Sequence, residues 1–174
     1  RVIENDSLWR GYLNTIFYTV LGTCINLTLT MTGAFVLSRR TFALRTPLNW
    51  MVLFTMFFGG GMIPTYLLVK DLKLLNTVWS LVLPGAISTW NLIITRTFLA
   101  TSIPNELQEA AYIDGCNNIR FFLRIVLPNA TTIIAVIGLF YAVDHWLSYW
   151  NAMLYITDET RYPLQLVLRD ILLK

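Results

Sequence analysis

GYLNTIFYTVLGTCINLTLTMTGAFVLS, residues 11–38, lies between Arg10 and Arg39 and contains no charged side chain. A helix needs roughly 20 mostly apolar residues to cross about 30 Å of hydrocarbon. The stretch is long enough, and no strand-like alternation of polar and apolar residues repeats along it. Because lipid offers the backbone no hydrogen-bond partner, a single segment satisfies its amides and carbonyls there only as a helix. Residues 11–38 therefore predict a transmembrane helix and, with it, an all-α fold.

Three further stretches are free of charge: residues 46–69, 74–95 and 125–143. Together they predict a polytopic membrane protein with about four transmembrane helices, at residues 11–38, 46–66, 76–98 and 129–147. The composition agrees, since 56% of the residues are hydrophobic and 13% are charged, whereas soluble domains carry about 25% charged residues. These values exclude a soluble domain and a disordered chain. The net charge of +3 is spread along the chain and gives no sign of nucleic-acid binding.

Two of the predicted spans carry unusual residues. In the first span, Asn14 and Asn26 need polar partners within hydrocarbon, while its threonines can bond either to their own helix or to neighbouring helices. In the second span, residues 59–61 are three consecutive glycines and Pro64 follows. This sequence predicts either a plain helix end or a discontinuous helix that lines a transport path.

The orientation follows from the basic residues in the short loops. The first loop has three and no acidic residue, the second has two, and the third has three: Arg39, Arg40 and Arg45; Lys70 and Lys73; Arg96, Arg120 and Arg124. This weak bias places the first and third loops in the cytoplasm. The loop at 102–128 is therefore predicted to be cytoplasmic, and the loop at 148–170 extracytoplasmic.

The third loop contains the signals of a helix, a tight turn and a second helix. Pro104 and Glu106 suit a first helical turn, because proline has the required φ and an acid is stabilised by the helix dipole. Gly115 is suited to stop this helix in a left-handed conformation. A second helix would then continue to Pro128, where the chain bends into the last span. Such a helical hairpin outside the membrane either docks into a partner's groove or is an ordinary amphipathic linker.

The spacing Glu109-Ala110-Ala111, Gly115, Ile125 and Leu127-Pro128 resembles the EAA loop of ABC importer permeases. Further segments look like the carbohydrate-uptake branch, in particular the second permease subunit related to the maltose-system G protein and the group for complex or acidic oligosaccharides: 59–68, 83–85, 91–98, 140–146 and 162–168. Asp144 departs from the pattern, which has a small residue before the His-Trp pair. Such permeases typically have six spans, so we expect residues 1–174 to be one permease domain that lacks the first and last span.

The resemblance implies a multi-pass subunit of the bacterial cytoplasmic membrane. It would be embedded in lipid and form half of a sugar pathway with a second, different permease subunit. Two ATPase subunits would hold ATP and Mg²⁺, an extracytoplasmic binding protein would deliver the sugar, and this chain would carry neither a cofactor nor a catalytic site. Residues with a coupling role would be Glu109, Ala110, Ala111, Asp114, Gly115, Ile125, Leu127 and Pro128. Within that set, Glu109 would meet a basic residue of the ATPase, Ala110 and Ala111 would allow close approach, and Gly115 would set the angle between the helices.

Two polar groups are candidates for contact with the sugar or its carrier. The pathway candidates are Asp144, His145, Trp146, Asn14 and Asn26, although an aromatic belt at the membrane surface would also explain the aromatic residues near position 146. The candidates for binding-protein contact are Asp158, Glu159 and Arg161. A lone histidine indicates neither a metal site nor catalysis. The alternatives are a receptor or scaffold, which leaves the EAA spacing unexplained, and a membrane-embedded enzyme, for which no suitable set of residues is present.

Overall fold

The computed structural model describes residues 6–173, and within this range the chain forms helices and no strand. The prediction of an all-α fold is confirmed. The helices are α1 (Asp6–Ser38), α2 (Arg45–Phe57), α3 (Met62–Asp71), α4 (Trp79–Val82), α5 (Thr89–Ser102), α6 (Asn105–Ile113), α7 (Asn118–Phe121), α8 (Leu127–Asn129), α9 (Thr131–Trp146), α10 (Tyr149–Tyr155) and α11 (Leu164–Leu172). A π-helical turn (Phe122–Val126) joins α7 to α8, and a 3₁₀ turn (Glu159–Arg161) precedes α11.

The contacts within the chain group into two compact units. Unit A comprises residues 6–26, 60–86 and 139–173, and unit B comprises residues 27–59 and 87–138. Unit B contains both loops predicted to be cytoplasmic, and unit A contains the loops predicted to lie on the other side of the membrane.

Helix α1 bears out the first predicted span. It has 33 residues, which at 1.5 Å per residue is about 50 Å. Among residues 6–173 it is the one helix long and apolar enough to cross a membrane alone. The number rises to three if α2 with α3, and residues 118–129 with α9, each count as one bent span.

The second and third predicted spans are interrupted. Helix α2 ends at Phe57, and α3 begins after Gly61, whose φ of +84° favours glycine. The prediction of one helix over 76–98 is wrong, because α4 ends at Val82 and α5 starts at Thr89. Pro84 and Gly85 disfavour a continuous helix between them, and the Ser88 hydroxyl caps α5 by accepting a hydrogen bond from the Asn91 amide.

Each unit has its own apolar core. In unit A, a cluster of buried side chains joins the first half of α1 to α4, α10 and α11: Tyr18, Leu81, Ala152, Ile156 and Leu166. In unit B, the ring of Phe35 lies 6.2 Å from that of Phe121 and 5.0 Å from that of Phe122. These ring contacts pack the second half of the predicted EAA loop against the second half of α1.

Candidate functional site

The predicted stop at Gly115 is present and has a well-defined geometry. Helix α6 ends in a Schellman turn, in which the Gly115 amide donates to the Tyr112 carbonyl at 3.0 Å and the Cys116 amide donates to the Ala111 carbonyl at 2.8 Å. Gly115 has a φ of +75°, which a residue with a Cβ adopts only at a steric cost. The helix–turn–helix expected from the sequence is therefore confirmed.

Side chains that the sequence analysis did not single out brace this turn. Asn117 caps α7 by accepting a hydrogen bond from the Arg120 amide at 2.8 Å. The Gln108 amide nitrogen donates to the Tyr112 hydroxyl at 2.7 Å, and that hydroxyl donates to the Asn118 side chain. This chain of hydrogen bonds connects α6 to α7 and fixes the hairpin. Single amides and hydroxyls of this kind have no distinctive sequence spacing, which explains why they were missed.

The two alanines of the EAA spacing lie in different environments. Ala110 is exposed, together with Glu109 and Asp114, but Ala111 is 7% exposed and packs inside unit B. The expectation that both alanines admit a partner closely therefore needs correction, because only Ala110 faces outward. The most exposed large apolar side chain of this loop is Ile113, which is 87% exposed. No residue pattern in the sequence distinguishes Ile113 from the residues that face the core.

The end of the loop is shaped by Pro128. Proline has no amide hydrogen to donate one turn back, and the turn before it widens into a π-helix in which the Leu127 amide donates to the Phe122 carbonyl. Between residues 118–129 and α9 the helix direction turns by 82°, close to the bend predicted at Pro128. Ile125 and Leu127, on either side of Val126, are half-buried, and Pro128 is exposed.

The entry of the loop is held by two arginines. Arg39, at the end of α1, is 3% exposed, and its guanidinium donates to the Leu99 carbonyl at 2.9 Å and to the Ile103 carbonyl at 3.3 Å. Arg96 of α5 donates in the opposite direction, to the Leu37 carbonyl at 3.4 Å. From the sequence, both arginines were used only to predict the orientation of the loops in the membrane.

Two of the predicted pathway residues meet inside unit A. The amide of Asn26 lies 3.0 Å from Nε2 of His145, and the imidazole packs directly on Gly22, where an added Cβ would lie 2.4 Å from the same nitrogen. The side-chain oxygen of Asn26 and the hydroxyls of Thr19 and Thr23 are buried without a hydrogen-bond partner. The cluster has unused polar capacity. Such buried groups are normally paired, in many cases with water.

The other pathway candidates do not join this pair. Asp144 and Trp146 are exposed, and the Trp146 ring makes an edge-to-face contact with Tyr12 at 6.3 Å. Asn14 lies apart from the pair, and its side-chain amide nitrogen donates to the carbonyls of Thr160 and Tyr162 at 3.0 and 3.2 Å. It holds a surface loop at the end of α10, residues 156–162, which we call the outer loop.

The outer loop is organised around Asn76, a residue that the sequence analysis did not select. Its side-chain oxygen accepts hydrogen bonds from the Thr157 amide at 2.6 Å, the Thr157 hydroxyl at 2.9 Å and the Asp158 amide at 3.3 Å. The backbone amide of Asn76 donates to the Tyr155 carbonyl at 2.9 Å. Its φ of +59° is one that asparagine tolerates better than most residues. That tolerance was the one available signal in the sequence.

The predicted binding-protein residues lie on this fixed loop. Asp158 accepts hydrogen bonds from the hydroxyl and amide of Thr160, at 2.7 and 3.0 Å, which lower the pKa of the Asp158 carboxyl below its usual value. Nε of Arg161 lies 3.5 Å from the same carboxylate. Glu159 and Arg161 are exposed, so the loop presents charges of both signs on a braced backbone.

Comparison with known proteins identifies what the chain resembles. A family described as binding-protein-dependent transport system inner membrane component matches residues 7–149. In Bacillus subtilis strain 168, the polygalacturonan/rhamnogalacturonan transport system permease protein YtcP is 45% identical over 99% of this chain, and protein LplC is 48% identical over 98%. A solved structure of a bacterial ABC transporter involved in the import of the acidic polysaccharide alginate contains a chain with 34% identity and a TM-score of 0.93 over 98% of this chain.

The match covers only part of those proteins. The chain spans 60% of YtcP, 57% of LplC and 60% of the chain in the alginate transporter. The likeness therefore concerns this segment, and it includes both the helical hairpin at Gly115 and the outer loop.

Proposed function

The chain belongs to the family of binding-protein-dependent transport system inner membrane components, and from that premise we propose that it is a permease subunit of an ABC importer for acidic oligosaccharides. Family members are components of the bacterial inner membrane. The observation that carries the proposal is the loop at residues 102–128, which we call the coupling loop. Its Schellman turn at Gly115 and its exposed face of Glu109, Ala110 and Ile113 provide a rigid, partly apolar knob.

The coupling loop would dock into an ATPase subunit. The exposed carboxylate of Glu109 favours a basic residue of the partner. Ile113 and Ala110 supply apolar surface at the centre of the contact, as helix-in-groove docking requires. ATP and Mg²⁺ would be held by two ATPase subunits and not by this chain. Closure of those subunits would then favour one state of the permease, which couples nucleotide binding to release of the sugar.

Two further partners complete the proposed importer. A second permease subunit would supply the other half of the pathway. An extracytoplasmic binding protein would contact the outer loop, where Asp158, Glu159 and Arg161 lie on a backbone fixed by Asn76. The pair of Asn26 and His145 is the group in unit A best suited to line the pathway, since its neighbouring oxygens lack partners.

The substrate class is proposed from the relatives. YtcP is named for polygalacturonan and rhamnogalacturonan, and the matched structure is described by its role in alginate import. All are rich in carboxylate-bearing sugars. Neither alternative function has a specific observation in its favour: a receptor does not require the coupling loop, and the described contact of His145 is an amide and not a nucleophile.

Reconstitution tests this proposal. The full complex in proteoliposomes, with its binding protein, should hydrolyse ATP several-fold faster when oligogalacturonate is added and should accumulate that sugar. Maltooligosaccharide of equal length is the matched neutral control. Stimulation by the neutral sugar alone would overturn the substrate class, and the absence of any binding-protein-dependent uptake would overturn the function.

A further inference from the structure

We infer that Arg39 and Arg96 are positioning residues which lock the end of α1 to the end of α5, so that the coupling loop is driven from both helices together. This inference rests on the proposed function. The two helices end close to each other in unit B, and each sends a guanidinium to the carboxyl-terminal carbonyls of the other. We call this pair of exchanges the arginine clamp.

All three nitrogen atoms of the Arg39 guanidinium donate a hydrogen bond. One terminal nitrogen donates to Leu99, the other donates to Ile103, and Nε donates to the Ser38 hydroxyl at 3.0 Å. Ser38 in turn donates to the Phe35 carbonyl at 2.7 Å, and the guanidinium lies 5.6 Å from the Phe35 ring centroid. Arg39 is therefore fixed on its own helix while it grips the next one.

The chemistry of the clamp explains how a charge lies buried there. A guanidinium at 3% exposure is costly unless it is paired and hydrogen-bonded. Two of its three described acceptors are carbonyls at the end of α5, where the helix dipole places partial negative charge. Lysine would keep the charge but cannot form the planar fork to two carbonyls. The site thus requires arginine by its geometry as well as by its charge.

The clamp lies where the coupling loop begins. Ile103, which accepts one of the Arg39 hydrogen bonds, directly follows α5, and α6 begins two residues later at Asn105. A displacement of α6 is therefore transmitted to Arg39 through only two intervening residues, Ile103 and Pro104. If the clamp is loosened, we expect the loop to move without carrying α1 along. ATP hydrolysis would then continue while transport fails.

The first test measures ATP hydrolysed per sugar transported in the full complex. Arg39→Met and Arg96→Met should each raise this ratio about fivefold or more, which is the lower end of the fold-changes that typical allosteric coupling produces. Arg39→Lys should raise the ratio by a smaller factor. Arg40→Met and Arg40→Lys are the matched controls, because Arg40 is adjacent and exposed. The double variant should be no worse than the poorer single one, since both arginines act as one unit. An unchanged ratio in the Arg39 and Arg96 variants, at normal uptake by the parent, would overturn the clamp.

A second test does not depend on transport. Spin labels at Val36 and Thr101, which are both exposed at the ends of the clamped helices, report their separation in the complex once Cys24 and Cys116 are replaced by serine. The parent and the Arg40 controls should give one narrow distance distribution, and Arg39→Lys and Arg96→Met should broaden it. Distance distributions of equal width in all variants would overturn the clamp. This outcome does not depend on which substrate the importer transports. A failure of Arg39→Met to assemble leaves both of these milder variants to decide.

Discussion

The coupling loop in unit B and the outer loop in unit A are each fixed by a side chain that lies outside them, but the chemistry of the two attachments is opposite. Arg39 donates to carbonyls and is 3% exposed. Asn76, which is half-buried, accepts from amides of an exposed loop. The first attachment contains a buried charge and the second a neutral oxygen near solvent.

This difference indicates how much each loop is free to adjust. A buried hydrogen bond to a charged group contributes about 1.5–3 kcal/mol, whereas a neutral one contributes about 0.5–1.5 kcal/mol. The coupling loop is therefore expected to transmit force as a rigid element. The outer loop is held well enough to present Asp158, Glu159 and Arg161 in one arrangement, yet it can open at a modest cost when a partner approaches.

The largest effect is expected at Gly115 in the coupling loop. Its φ of +75° makes Gly115→Val unfavourable by about 1–2 kcal/mol from backbone sterics alone, and the Schellman turn would be lost as well. Gly115→Asn is the matched control, because asparagine tolerates this region. Sugar uptake per assembled complex should fall with valine and largely survive with asparagine. Equal uptake by the two variants would show that the turn does not matter for coupling.

The next effect is expected at Asn76, where three variants separate two causes. Asn76→Gly keeps the backbone conformation but loses the acceptor, Asn76→Asp keeps an acceptor oxygen, and Asn76→Ala loses both advantages. Loss of the acceptor should destabilise the outer loop by about 1–2 kcal/mol. Hydrogen exchange at the Thr157 and Asp158 amides should quicken with glycine and alanine, and the aspartate variant should stay near the parent. If all three variants exchange at the parent rate, Asn76 does not fix the loop.

Glu109 should affect binding and leave stability almost unchanged. The side chain is exposed, and surface substitutions usually change stability by less than about 0.5 kcal/mol. Glu109→Lys should therefore reduce co-purification of the ATPase at a normal thermal midpoint. Glu106→Lys, one turn earlier and also exposed, is the control for charge alone. An equal loss of ATPase with both variants would argue against a specific contact at Glu109.

The smallest effect concerns the pH dependence of the outer loop. Because hydrogen bonds from Thr160 lower the pKa of Asp158 in the folded state, this carboxylate stabilises the loop above the unfolded pKa of about 3.9. The contribution is lost as the pH falls through the lower, folded pKa. Amide exchange at Thr160, corrected for its intrinsic pH dependence, should show less protection at the acidic end of this window, and Asp158→Asn should remove the transition. A transition that persists in Asp158→Asn would assign it to another group.

Sequence reasoning predicted best where a backbone rule acts over a few residues. The charge-free stretch that became α1, the stop at Gly115 and the bend near Pro128 all follow from local sterics and hydrophobicity. It failed over 76–98, because hydropathy does not reveal the break at Pro84 and Gly85 within an apolar run. Pro84 and Gly85 are residue types that disfavour a helix, but the length of the charge-free stretch favoured one continuous span.

The attachments of the two loops could not be predicted in the same way. Arg39 and Arg40 are neighbours of identical type, and only the packing of α1 against α5 buries one and exposes the other. Asn76 bonds to residues more than 80 positions away. Such contacts depend on tertiary structure, and a single sequence carries no spacing that announces them.

The coupling loop and the outer loop are expected to have separate tasks, and a titration of the reconstituted complex with its binding protein separates the two. The measurement gives the binding-protein concentration for half-maximal ATPase stimulation and the ATP hydrolysed per sugar at saturation. We predict that Asn76→Gly raises only the concentration and that Arg39→Lys raises only the ATP consumed. If both variants change both quantities in proportion, the two loops do not have separate tasks.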